Sequence, residues 1–174
     1  MNKFLTLTKE QRAAVFERVG ASVGLPMQAV EKDFWVTVIL QAVFSLPVAQ
    51  HLIFKGGTSL SKAWGLISRF SEDIDLAVNP MALGAAEGDL TKKQIKTLRK
   101  ASSLFVSEQL TPMPCAKINE MGMSAFLNIE AQPNGEGDNT YPEPRQIYIR
   151  YQSVFEKPLT YLRPDVVLEV SARS

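Results

Sequence analysis

With 174 residues, 45% of them hydrophobic, the chain can bury one proper core and is close to the usual size of a single domain. Its 19 Lys and Arg against 18 Asp and Glu leave a net charge of +1, so no global basic field announces a nucleic-acid footprint, though a local patch is compatible with it. The one cysteine, Cys115, excludes an internal disulfide framework and a cysteine-rich metal site, and the one histidine, His51, excludes a site built on several histidines. No apolar run of about 18 residues and no signal-peptide core is present, and a cytoplasmic protein with no membrane partner is expected.

Thr8 and Gln11 have the spacing of a capping box, and Ala14, Val15, Val19 and Val23 follow at helical spacing. Gly24 and Pro26 separate this helix from a second one, predicted over about Met27 to Phe44 with Phe34, Val38 and residues 40–42 among its apolar positions. Phe34 and Trp35 read as core rather than as groups that stack on a ligand. Residues 51–54 form a short apolar strand, ended by Gly56 and Gly57 where the backbone can turn sharply or approach a ligand. Thr58 or Ser59 is the expected N-cap of a helical run over residues 60–64, and Gly65 offers a stop. Free N–H groups at such a start attract an anion, and Lys62 adds a cation to the same patch. The same residues also suit an ordinary strand–turn–helix corner, and the Walker spacing is absent. Lys55 is expected to be structural or solvent-facing.

In the run Asp73-Ile74-Asp75-Leu76-Ala77-Val78, the acids alternate with apolar residues. A strand of period 2 projects Asp73 and Asp75 from one face while Ile74 and Leu76 face the core. Two like charges side by side are destabilising unless a cation lies between them, and Mg²⁺ takes one or two carboxylates together with phosphate oxygens. An edge strand carrying two solvated acids is the plain alternative. Arg69 lies four residues before Asp73, close enough either to steady phosphate charge or to pair with Asp73 or Glu72.

A loop is predicted at Asn79-Pro80 and across residues 84–88, then a helix over residues 91–109 with Lys92, Lys93, Lys96, Arg99 and Lys100 on one side. That basic face is either solvated or a contact for an RNA acceptor end. Pro112 and Pro114 are expected to break the helix. Strands follow over residues 125–131 and 145–155, joined by a long hairpin-type loop at 133–144. In the last strand, Asp165, Val167, Glu169 and Ser171 share one face and Val166, Leu168 and Val170 the other.

The pattern Gly-Gly-Thr-Ser-Leu (56–60) followed by Arg-Phe-Ser-Glu-Asp-Ile-Asp-Leu (69–76) resembles the core motif of the polymerase-β-like nucleotidyltransferase superfamily, and within it the AbiEii/AbiGii toxin family of type IV toxin–antitoxin systems. Glu31-Lys32-Asp33-Phe34-Trp35-Val36 resembles that family's N-terminal helix motif, and residues 163–171 its later carboxylate-bearing strand, so that the resemblance spans about residues 25–174. It implies that Gly56, Gly57, Thr58 and Ser59 wrap a nucleoside triphosphate with Lys62 and Arg69 beside it, and that Asp73 and Asp75 hold two Mg²⁺ ions. Glu169 is the candidate third carboxylate, although many superfamily members carry Asp there.

The expected fold is α+β: a mixed, mainly antiparallel nucleotidyltransferase-type sheet flanked by helices, in one catalytic domain over residues 1–174 that includes the N-terminal helices. The resemblance further implies a helical C-terminal region absent from this chain. The function it implies is transfer of a nucleoside monophosphate from an NTP to a tRNA 3′ end or a protein hydroxyl, in a toxin with a cognate antitoxin. A non-catalytic NTP-binding module and a truncated partner-binding remnant are the alternative readings.

Overall fold

The structure, a computed structural model, describes residues 2–67, 70, 72–85, 90–131, 146–157 and 159–172. Helices α1 (Asn2–Leu5), α2 (Lys9–Val23) and α3 (Met27–Phe44) come first. Thr8 starts α2 through the expected capping box: Gln11 N donates to Thr8 Oγ1 at 3.3 Å and Thr8 N donates to Gln11 Oε1 at 3.0 Å. Gly24 closes the helix in the left-handed region, with φ 72°.

The stripe Val15, Val19 and Val23 stays exposed, against expectation, and α2 buries Phe16 and Gly20 instead. Gly20 explains the choice. A Cβ there would lie 2.6 Å from the Leu25 carbonyl oxygen, so α2 meets the connection to α3 on its glycine side. Helix α3 is buried along most of its length, through Trp35, Val36, Val38, Ile39, Ala42 and Val43. Trp35 stacks on Tyr151 with ring centroids 5.7 Å apart and meets Phe34 edge-on at 5.2 Å, so both aromatics belong to the core.

A 3₁₀ turn, Pro47–His51, leads into β1 (Leu52–Lys55), then α4 (Gly56–Thr58), which runs on as a π-helical turn over Ser59–Ala63. Strand β2 (Ile74–Val78), a second 3₁₀ turn (Pro80–Leu83) and α5 (Lys92–Phe105) follow. Lys92, Lys93, Lys96 and Lys100 are exposed on α5, Arg99 is half-buried, and the opposite side buries Leu98 and Phe105. The two prolines after α5 do not break the chain's helical course. A π-helical turn, Val106–Leu110, passes into α6 (Pro112–Glu120), whose first turn contains both prolines. Backbone N–H groups of a first turn have no intrahelical partner, so proline loses nothing there.

Strands β3 (Leu127–Ala131), β4 (Gln146–Tyr151) and β5 (Asp165–Ser171) complete a five-stranded sheet in the order β1-β2-β5-β4-β3. Among the described strands only β2 and β5 run parallel; the other neighbours are antiparallel, which makes the fold α+β with a mixed, mainly antiparallel sheet. The expected loop over residues 133–144 lies outside the described residues, as does most of the one at 84–88.

One sheet face is apolar. Ile74, Leu76, Val78, Ile147, Ile149, Val166, Leu168 and Val170 are buried in a core shared with α3, Phe105, Leu110 and Ile118. The other face carries the intervening residues of β2, β4 and β5: Asp75, Gln146, Tyr148, Arg150, Asp165, Val167 and Glu169. Strand alternation therefore separates the apolar core from a polar face across the sheet's thickness.

Candidate active site

Register gathers the polar residues into a row. Lys55 pairs with Asp75, Asp75 with Glu169, and Glu169 with Gln146, so four adjacent strands each place one polar residue in line on the open face. Asp73 lies one residue ahead of β2 with the parity of Asp75, and Ile74 between them is fully buried. Lys55 reaches across to donate to Ser171 Oγ at 2.9 Å, and Gln146 Nε2 donates to Glu169 Oε2 at 3.4 Å.

The glycine corner is built against these acids. Gly56 has φ 73°, and a Cβ on it would lie 1.9 Å from Asp75 Oδ2 and 2.7 Å from its Cγ. Bare backbone thus occupies the place where a side chain would displace the Asp75 carboxylate. Helix α4 begins at Gly56, ahead of the expected start, with Lys55 in the N-cap position, and neither Thr58 nor Ser59 caps it. Both hydroxyls are buried and turned inward: Thr58 Oγ1 donates to the Asp73 carbonyl, and Ser59 Oγ donates to the Phe54 carbonyl at 3.1 Å. Through Thr58 the corner is tied to the backbone that carries the first acid. Gly65, at φ 61°, follows the helical stretch as the expected stop.

Lys62 faces away from the acid row. Its ammonium lies 2.7 Å from Asp33 Oδ1 and donates to Thr37 Oγ1 at 3.1 Å, both on α3. It also lines an apolar cleft of about 550 Å³ with Val19, Val23, Asp33 and Phe70, a cleft that includes none of Asp73, Asp75 and Glu169. Arg69 lies outside the described residues.

Electrostatics concentrate at Asp73. Although its carboxylate is open to solvent, the protein around it removes enough water to raise its pKa, and the charges of Glu72, Asp75 and Asp165 raise it further. The Lys32 ammonium opposes that rise. Asp165 is thus an acid of this neighbourhood as well as a residue at a strand start; its position two residues before Val167, on the face of Glu169, was the available signal. In the sequence Lys32 is legible only as a member of a motif and Glu72 only as a possible partner of Arg69; the structure pairs the two with each other.

Hard carboxylate oxygens on one face, crowded by like charge, suit a Mg²⁺ ion that draws its remaining ligands from phosphate and water. The Gly56 backbone seated against Asp75 fits the close approach such a site needs. Among the described residues, no three His, Cys, Asp or Glu side chains already stand together as a closed metal cage. Two protein carboxylates plus substrate oxygens do not require one.

The α+β sheet, with paired acids beside a glycine corner, is consistent with a nucleotidyltransferase-like fold. The sequence profile of the nucleotidyl transferase AbiEii toxin family, of type IV toxin–antitoxin systems, matches residues 38–174, and the chain belongs to that family. The matched stretch holds the glycine corner, both paired acids and Glu169; it begins after the Glu31–Val36 motif. No curated protein and no solved structure matches the chain. No described helix is long and apolar enough to cross a membrane.

Proposed function

We propose that this chain catalyses Mg²⁺-dependent nucleotidyl transfer in the cytoplasm, moving a nucleoside monophosphate from an NTP to the 3′ hydroxyl of a tRNA, as the toxin of a pair with a cognate antitoxin. The observation that carries this reading is the row of Asp75 and Glu169 in register beside Asp73, with the Gly56 backbone against Asp75. In the reaction, the acceptor oxygen bonds to the α-phosphorus, the bond to pyrophosphate breaks, and the hydroxyl proton passes to solvent. A bound pair of Mg²⁺ ions supplies charge neutralisation at the phosphates and orients the attacking oxygen.

The chain's residues divide the remaining tasks. Asp73 and Asp75 present the metal-binding charge, and Glu169 contributes the third carboxylate. Gly56 and Gly57 let the triphosphate approach the backbone. Thr58 and Ser59 hold that corner to β1 and β2 through their inward bonds. Lys62 fixes it to α3 through Asp33 and Thr37. The acidic row carries little positive charge of its own, so cations on Arg69 and on the bound metals balance the triphosphate.

The test is transfer of label from each α-labelled NTP, with Mg²⁺ and total tRNA. Asp73→Asn and Asp75→Asn are each expected to lower transfer by at least about 10³-fold while leaving the melting temperature nearly unchanged, a loss in the range of removing a principal electrostatic group from an active site. Transfer undiminished in either variant overturns the assignment. Label on protein instead of RNA redirects the acceptor, and NTP bound without transfer favours a binding module.

A further inference from the structure

The Glu31-Lys32-Asp33 run lies outside the stretch matched by the family, and the reaction as proposed gives a role to Asp33 alone. Its three consecutive charges tie α3 to three separate segments. Glu31 accepts from Ser153 Oγ at 2.6 Å and from Val154 N at 2.8 Å, just after β4. Asp33 holds Lys62 behind the glycine corner. Lys32 reaches Glu72, the residue next to Asp73, at 2.6 Å.

The Lys32–Glu72 pair is lopsided. The lysine side chain is 3% exposed, whereas that of Glu72 is 40% exposed. A buried ammonium is costly unless it is paired, so this ion pair is held in place from the lysine end. Glu72 precedes the metal-binding acids directly, and a carboxylate free at that position would add a competing hard ligand beside Asp73. We infer that Lys32 is a positioning residue: by engaging Glu72 from below, it keeps that carboxylate out of the metal site and leaves Asp73 and Asp75 as the pair presented to the cation. The inference rests on the metal-site reading of those acids. Lys32 does its work without touching substrate.

A purely structural lysine and a positioning lysine predict opposite changes in metal affinity. Loss of a structural residue loosens the site and weakens binding. Loss of the positioning residue frees Glu72 and removes a cation, so binding tightens while the ion sits wrongly for transfer.

The experiment titrates Mn²⁺ alone into the full chain by calorimetry and measures transfer in parallel. Lys32→Met is expected to bind Mn²⁺ about three- to tenfold more tightly, as one unit charge removed nearby implies. Its transfer rate at saturating metal should fall by about tenfold or more, a barrier increase of at least about 1.4 kcal/mol. Lys32→Arg should restore both, and Lys32→Met combined with Glu72→Gln should bring Mn²⁺ affinity back to that of the parent. Lys32→Leu, which like methionine cannot donate to Glu72, reads the same change if the methionine variant does not fold.

Unchanged or weaker Mn²⁺ binding in the folded Lys32→Met variant or its neutral substitute, with binding still abolished by Asp75→Asn, overturns this inference and leaves the site standing. Mn²⁺ binding indifferent to Asp75→Asn overturns both.

Discussion

Gly56 shows how one missing side chain shapes a site. Its φ of 73° is a conformation that costs an L-residue roughly 1–2 kcal/mol. The larger constraint is steric, since a Cβ would lie 1.9 Å from Asp75 Oδ2 and 3.0 Å from Asp75 Cβ. Asp has a short side chain, so the whole carboxylate would have to swing away from the open face. Gly56→Ala is therefore expected to lose at least about tenfold in Mn²⁺ affinity, besides the 1–2 kcal/mol or so of backbone strain. Calorimetry with Mn²⁺ and a thermal melt read the two effects separately. Gly65, with φ 61° and no atom within 4 Å of an added Cβ, is the control: alanine there should cost strain alone.

At the scale of elements, the period of 2 in β2 and β5 made the polar face readable from the sequence, because Ile74, Leu76, Leu168 and Val170 could only point one way. What brings Glu169 beside Asp75 is the parallel pairing of two strands about 90 residues apart, and strand parity cannot supply a register between strands. Helix α6 was hidden by its prolines, which read as breakers until their place in a first turn is known. The charges of α3 were visible but not their directions, since neighbouring residues on a helix point about 100° apart. Glu31 illustrates the consequence. Burial raises its pKa above the ordinary value of 4.5, although its bonds from Ser153 and Val154 N oppose this. The folded state therefore binds its proton more tightly than the unfolded chain does, so the contribution of Glu31 to stability falls as pH rises through the window above 4.5. Glu31→Gln removes the titration. Thermal melts of the two proteins at pH 5 and pH 7.5 should show the parent losing ground to the variant at the higher pH.

For the whole molecule, the sheet is a partition with the core on one side and the acid row on the other. Strand β5 is central to both, paired with β2 and β4 and contributing alternate residues to each face. Adjacent substitutions on it should then have opposite effects. Leu168 is fully buried, and Leu168→Ala is expected to cost about 2–5 kcal/mol, the range for a leucine truncated within a packed core. The folded fraction should keep its Mn²⁺ affinity, because the cavity opens on the side away from Asp75. Glu169→Gln changes no packing, so its melting temperature should match the parent's, while transfer falls by at least about tenfold if its carboxylate helps hold the metals. Asp165→Asn is the necessary comparison, since Asp165 is the acid of β5 whose charge raises the pKa of Asp73. A larger loss for Asp165→Asn than for Glu169→Gln would move the third carboxylate to the start of β5. Equal Mn²⁺ affinities in all three proteins would mean that β2 alone holds the metal and that β5 contributes only the frame.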